Sequence, residues 1–126
     1  LRKLWYLLIL VPLALAACAS APLTRAEAAG GGTLAMKAGN FFFDPNMVTV
    51  AGTGTLTLTI TNTTGSGHSI VVKDPGGKII DSADLPPHAV VTTQVTFPAP
   101  GDYYFYCSHP FHESLGMKGH FIVSGS

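Results

Sequence analysis

Cys107, His112 and Met117 follow one another at the spacing Cys-x4-His-x4-Met, which gathers a thiol, an imidazole and a thioether into eleven residues. Those donors suit a soft, redox-active metal. A second imidazole from elsewhere would complete two His, one Cys and a weak axial Met, the ligand list of a mononuclear blue-copper, or type 1, centre that works by one-electron transfer. His68 is the candidate, because it stands directly after the turn Asn62-Thr63-Thr64-Gly65-Ser66-Gly67 and heads the run Ser69-Ile70-Val71-Val72. The expected metal set is therefore His68, Cys107, His112 and Met117 around one copper ion per chain.

Such donors must be brought together by elements far apart in sequence, and the pattern in most of the chain is that of strands. From Thr55 to Thr61, Leu56, Leu58 and Ile60 fall on one face and threonines on the other, the period of a half-buried strand. Val91, Thr93, Val95 and Phe97 line one face of a later strand, and Tyr103, Phe105 and Cys107 one face of the next. Cys107 should thus point inward at the end of its strand. Asp74-Pro75-Gly76-Gly77, Leu85-Pro86-Pro87-His88 and Pro98-Ala99-Pro100-Gly101 are breaks between strands. Seven to eight short strands with no helical period predict an all-β Greek-key β-sandwich over residues 33–126. Gly101-Asp102-Tyr103 has the spacing of a tyrosine corner, in which a phenol bonds back to the chain and pins a crossover. Ser69 and Ser108 are placed to tie the two ligand-bearing segments by a hydrogen bond.

The amino-terminal part does not belong to that sandwich. Arg2 and Lys3 precede an apolar run from Leu4 to Ala17 that is too short to span a bilayer but suits an export signal. The run ends in Leu15-Ala16-Ala17-Cys18, which resembles a lipoprotein cleavage box with Cys18 as the lipidated residue. Residues 1–17 are thus expected to be a lipoprotein-type signal peptide and residues 18–32, small and rich in Ala and Gly, a flexible tether. Cleavage removes two of the seven basic residues and none of the seven acidic ones, leaving a net charge of about −2 with His neutral. That balance gives no basic face for nucleic acid. The protein is expected on the periplasmic or cell-surface side of the cytoplasmic membrane, held there by lipid. A Cys18–Cys107 disulfide is the alternative fate of the two cysteines.

Gly101 to Gly119, with Gly-x-Tyr, Tyr-Cys, His112 and Gly116-Met117-Lys118-Gly119, resembles the carboxy-terminal signature of the cupredoxins, the plastocyanin and azurin relatives. Phe43-Asp44-Pro45, followed by Val48-x-Val50 and Gly52, resembles the family's opening strands. The loop is longer than plastocyanin's and is similar in spacing to that of the auracyanins, membrane-associated blue-copper proteins of filamentous photosynthetic bacteria. The resemblance implies that the family's ligands fall on His68, Cys107, His112 and Met117. Two positions depart from the family pattern: Ser69 stands where Asn often follows the first His, and Phe111 where Gly often precedes the second. Because plastocyanin-type loops carry a histidine sooner after the Cys, His109 is the alternative ligand. His112 is preferred, since its spacing to Met117 fits the longer loop and Pro110 restricts the backbone of His109. His88 and His120 are read as loop histidines.

No catalytic constellation accompanies the four donors. The expected role is that of an electron carrier and not an enzyme: a monomer shuttling single electrons between membrane redox complexes, with a cytochrome, a reaction centre or an oxidase as transient partner. The alternative is a periplasmic copper carrier or chaperone that hands over the metal itself.

Overall fold

The computed structural model describes residues 21–125, so the expected signal peptide 1–17 and the lipidation site Cys18 lie outside the described residues. Ten strands follow in order: β1 (Arg25–Ala29), β2 (Thr33–Gly39), β3 (Phe42–Asp44), β4 (Met47–Ala51), β5 (Gly54–Asn62), β6 (His68–Lys73), β7 (Ile79–Leu85), β8 (Val90–Phe97), β9 (Gly101–Tyr106) and β10 (Lys118–Val123). They form a six-stranded sheet in the order β1-β4-β10-β9-β6-β7 and a four-stranded sheet in the order β3-β2-β5-β8. Among the described residues there is no helix. This is the expected all-β sandwich.

The alternation in the sequence decides which side chains the two sheets share. Leu56, Leu58 and Ile60 of β5, Val95 and Phe97 of β8, and Tyr103 and Phe105 of β9 are all buried in one core with Val48, Val50, Phe121 and Val123. Most of the intervening residues are exposed or half-buried, because successive side chains on a strand point to opposite faces. Phe97 packs edge-on to Tyr103 with ring centroids 4.8 Å apart, a favoured arrangement for two aromatic quadrupoles. The Tyr103 hydroxyl donates to the Ala99 carbonyl at 2.7 Å, which is the tyrosine corner. It fastens the crossover that leads into β9.

Two elements exceed the expected seven to eight strands. β3 is three residues long, too short for any period to show. β1 lies inside the segment 18–32 that was expected to be a flexible tether, and its finding corrects that boundary. It runs parallel to β4 in the register Arg25↔Met47 through Ala29↔Ala51. The sequence Arg25-Ala26-Glu27-Ala28-Ala29 carries almost no apolar signal because backbone hydrogen bonds to an open sheet edge, more than side-chain burial, hold it. Gly30-Gly31-Gly32 then serves as the link into β2, with Gly31 at φ 81°.

Candidate metal centre

Topology alone brings three of the four expected ligands to one end of the sandwich. β9 is flanked by β10 on one side and β6 on the other. Cys107 directly follows β9, Met117 directly precedes β10, and His68 opens β6. The register Lys118↔Tyr106 and Val71↔Tyr106 aligns these strand ends. His112 comes from the loop that joins β9 to β10. That loop coils tightly: the amide of His112 donates to the His109 carbonyl at 3.2 Å, that of Leu115 to Phe111 at 3.0 Å and that of Met117 to His112 at 3.0 Å. Cys107 N–H donates to the Met117 carbonyl at 3.0 Å and closes the loop on itself.

The donor atoms of His68, Cys107 and His112 lie within 4.8 Å of one another. His68 Nδ1 is 3.1 Å from His112 Nδ1, which is in turn 3.5 Å from Cys107 Sγ. His68 and Cys107 are almost wholly buried, His112 partly so. Met117 is fully buried beside them in sequence and in the loop's hydrogen bonding. His109 stacks on the His112 ring with centroids 5.5 Å apart, but it is not part of the three-residue donor cluster. His120 is not in a loop as expected. It lies on β10, with Nδ1 2.7 Å from Asp102 Oδ1.

The surroundings prepare both imidazoles as ligands. Thr64 Oγ1 donates its proton to Asn62 Oδ1 at 2.8 Å and so accepts from His68 Nε2–H at 3.1 Å. Asn40 Oδ1 lies 3.2 Å from the same nitrogen. A proton held at Nε2 leaves the lone pair on Nδ1, which faces Cys107 and His112. Burial, with His112 and His109 nearby, lowers the pKa of His68 below the ordinary imidazole value. Burial and then His109 do the same for His112. Both rings are therefore neutral at pH values where an exposed histidine would charge, and neutral imidazole is the metal-binding form.

The cysteine is held by serines. Ser69 Oγ accepts from the Ser108 amide at 2.9 Å and lies 2.8 Å from Ser108 Oγ. With the Ser108 hydroxyl as donor, the Ser69 proton is free to point at Cys107 Sγ, 3.8 Å away. The expected bond between the two ligand segments is present, and it also reaches the sulfur.

Phe111 has φ 67°, the left-handed region that a glycine occupies without strain and a phenylalanine does not. This accounts physically for the family's frequent glycine there. Yet the ring is 80% exposed, so it gains no packing within the fold.

Asn62, Thr64 and Asn40 were not singled out by the sequence reasoning. A signal did exist for the first two. Asn62 closes a strand and accepts the amide of Thr64 at 3.0 Å, the local turn that Asn favours. What the turn supports became visible only with its contacts.

A β-sandwich that gathers two neutral imidazoles and a buried thiol at one end has the cupredoxin arrangement, and the donor types fit copper. The sequence from 31 to 124 matches the model of the copper-binding plastocyanin/azurin family, and the chain belongs to that family. Among solved structures, the dithionite-reduced auracyanin of Roseiflexus castenholzii is 30% identical, with a TM-score of 0.67 over 73% of this chain and 96% of that one. Auracyanin A, a "blue" copper protein of the green thermophilic photosynthetic bacterium Chloroflexus aurantiacus, is 21% identical, with a TM-score of 0.61 over 73% and 99%. No curated protein matches the sequence. Family and centre together define a blue-copper electron-transfer protein whose cofactor is copper, with His68, Cys107 and His112 as its ligand cluster.

Proposed function

We propose that this protein shuttles single electrons between membrane redox complexes, as a monomer lipid-anchored at Cys18 on the outer side of the cytoplasmic membrane. The observation that carries the reading is the convergence of His68, Cys107 and His112 at one end of a rigid sheet, with His112 at the surface. Met117, fully buried and bonded through its backbone to both Cys107 and His112, would hold the copper as the weak fourth ligand and tune its potential. Bound copper supplies the one-electron couple.

The chain's own residues do the rest. The strand ends fix Cys107 and His68 so that donor positions need not move when charge changes. Ser69 donates toward the sulfur and stabilises its negative charge. Tyr104 on β9 donates to Glu113 Oε1 at 2.6 Å and braces the ligand loop against the sheet. Phe41 packs edge-on to the His112 ring, centroids 4.8 Å apart, and excludes water from one side of it. Phe111 and Leu115, both exposed, make an apolar rim suited to a brief encounter with a redox partner through a small contact.

A copper-loaded wild-type chain should show an intense thiolate-to-copper visible band that Cys107→Ser abolishes. Retention of the band in Cys107→Ser would remove the basis of this reading. Handing over of copper is the other role considered, and it predicts fast Cu(I) release to a chelator, whereas the braced site predicts slow release.

A further inference from the structure

We infer that the metal end of the domain rests on the lipid surface, through an apolar ring of Leu23, Phe41, Phe42, Phe111 and Leu115. The inference rests on the reading of Cys18 as a lipid anchor and adds the orientation that the anchor imposes.

A flexible tether reaching to residue 32 would join the sandwich at the start of β2, where Thr33 lies beside Thr57. β2 runs from there toward the metal end, since Asn40 follows it and touches His68. A chain attached that way would hang with its metal end pointing away, on a leash long enough to permit any orientation. β1 removes that freedom. It takes the chain along the edge of the sheet and brings its entry point to the opposite end.

The entry is clamped there. Asn46, nearly buried, accepts the Thr24 amide on Oδ1 at 2.9 Å and donates from Nδ2 to the Pro22 carbonyl at 2.8 Å. Its own amide donates to Thr24 Oγ1 at 3.0 Å. Ala21 abuts Gly116, which sits next to Met117: a Cβ added at Gly116 would come within 2.9 Å of the Ala21 nitrogen. Gly116 also has φ 116°, so the close approach and the backbone both call for glycine. Cys18 is three residues before Ala21, which is at most about 11 Å of extended chain. An acyl group on Cys18 thus pins the metal end within about that distance of the bilayer.

The exposed side chains fit such a neighbour. Six of the eight large apolar side chains exposed among the described residues lie at this end, the five of the ring and Val90, which opens β8 opposite Thr61. Leu23 shares a groove with Ala21 and Gly116, and Phe42 lines another of about 230 Å³ with Ala21 and Pro22. Phe111 is the most exposed of the five and holds a backbone conformation that costs stability without packing against the fold. Its burial in the interfacial layer gives that cost a return, since apolar rings bind there in proportion to the area they bury. Lateral encounter with a membrane-embedded partner exchanges lipid for protein at Phe111 and Leu115, so the same rim serves both contacts in turn, and electron exchange takes place at the membrane surface with partners whose redox centres lie at that level.

The test uses the full chain, produced in a lipoprotein-processing host and reconstituted in vesicles of phosphatidylethanolamine and phosphatidylglycerol with or without brominated acyl chains. The one native tryptophan, Trp5, lies in the leader, so Phe111→Trp and Ile79→Trp each report from a single mature position. Ile79 is exposed at the end of the β6–β7 hairpin away from His68. Phe111→Trp should lose emission in brominated vesicles and Ile79→Trp should not, with the blue band confirming that both variants fold. Vesicle-bound protein with equal emission from Phe111→Trp in both lipids overturns the orientation and leaves the anchor standing. Wild-type protein that does not float with vesicles overturns both, and release by Cys18→Ala identifies the anchor as the cause of binding.

Discussion

Asn62 is the residue on which the placement of His68 depends most, and Asn62→Ala tests that dependence. Its side chain is 1% exposed and fully used. The two Nδ2 hydrogens serve the carbonyls of Ser66 at 2.8 Å, Leu85 at 2.9 Å and Pro86 at 3.1 Å, one hydrogen being shared between two of them, while Oδ1 accepts from the Thr64 amide and hydroxyl. One amide therefore joins the end of β5, the turn before His68 and the end of β7. Four of these five bonds are only part-buried, so water replaces much of what truncation removes there; the buried one to Leu85 is worth about 1 kcal/mol net and the carbonyl it strands costs about 2 kcal/mol more, about 3 kcal/mol in all. For a domain of this size that is a fall in Tm of roughly 15 °C. Thr64 also loses the acceptor that turns its hydroxyl oxygen toward His68 Nε2–H. A loosened outer partner of this kind typically weakens metal binding by about 10-fold or more.

Two measurements check this: thermal unfolding of the metal-free chain, and copper affinity by competition with a chelator. Asn62→Asp separates the two effects, because it keeps the acceptor for Thr64 but sets a carboxylate against three carbonyl oxygens. It should unfold at least as easily as Asn62→Ala when metal-free, yet hold copper better once folded. A Tm drop of less than about 3 °C for Asn62→Ala, roughly half a kcal/mol, would refute the reasoning that this amide organises the His68 turn.

Other perturbations address the sulfur, the axial side and the loop brace. Ser69→Ala removes the hydroxyl aimed at Cys107 Sγ; it should lower the reduction potential by about 40 mV for each kcal/mol by which that bond favours the reduced centre, measured by redox titration of the visible band. Met117→Gln should also lower the potential, because an oxygen donor in the axial position favours Cu(II) more than a thioether does, and an unchanged potential would exclude Met117 as axial. Burial and the bond to Glu113 raise the Tyr104 pKa above its ordinary value of 10.0. The unfolded chain then loses its proton near pH 10 while the folded one keeps it, so this residue makes stability fall as pH rises above about 10. Tyr104→Phe should flatten that slope in thermal unfolding between pH 9 and 11.

What the sequence made legible was whatever depends on alternation and on donor type. Leu56, Leu58 and Ile60 declared their face, Tyr103 its corner, and Cys107 its inward direction, because a strand has one period and a core has one side. The ligand cluster of His68, Cys107 and His112 was readable for a different reason: an imidazole and a thiol at two strand ends, with a second imidazole in the loop that follows the thiol, have few other joint uses. β1 was not legible. Its residues would suit a linker equally well, and the edge of β4 that receives them is a property of the assembled sheet. The left-handed backbone of Phe111 was signalled only by the glycine that the family often carries there, since a phenylalanine by itself gives no sign of occupying a glycine's conformation.

Asn46 and Asn62 show why the supporting contacts were the hardest part to read. Each replaces missing secondary structure: where the chain leaves a strand, backbone amides and carbonyls lose their ladder partners and still need bonds. A buried carboxamide supplies an acceptor and two donors at once, which no other small uncharged side chain does. Asn62 does this beneath the turn that presents His68, and Asn46 does it where Pro22 and Thr24 enter the fold beside Gly116 and Met117. In sequence both are ordinary turn residues, and Asn is common in turns whether or not anything is built on them. The rigidity of the centre therefore rests on two side chains that bind no metal, and their loss is felt first in the loops that carry the ligands.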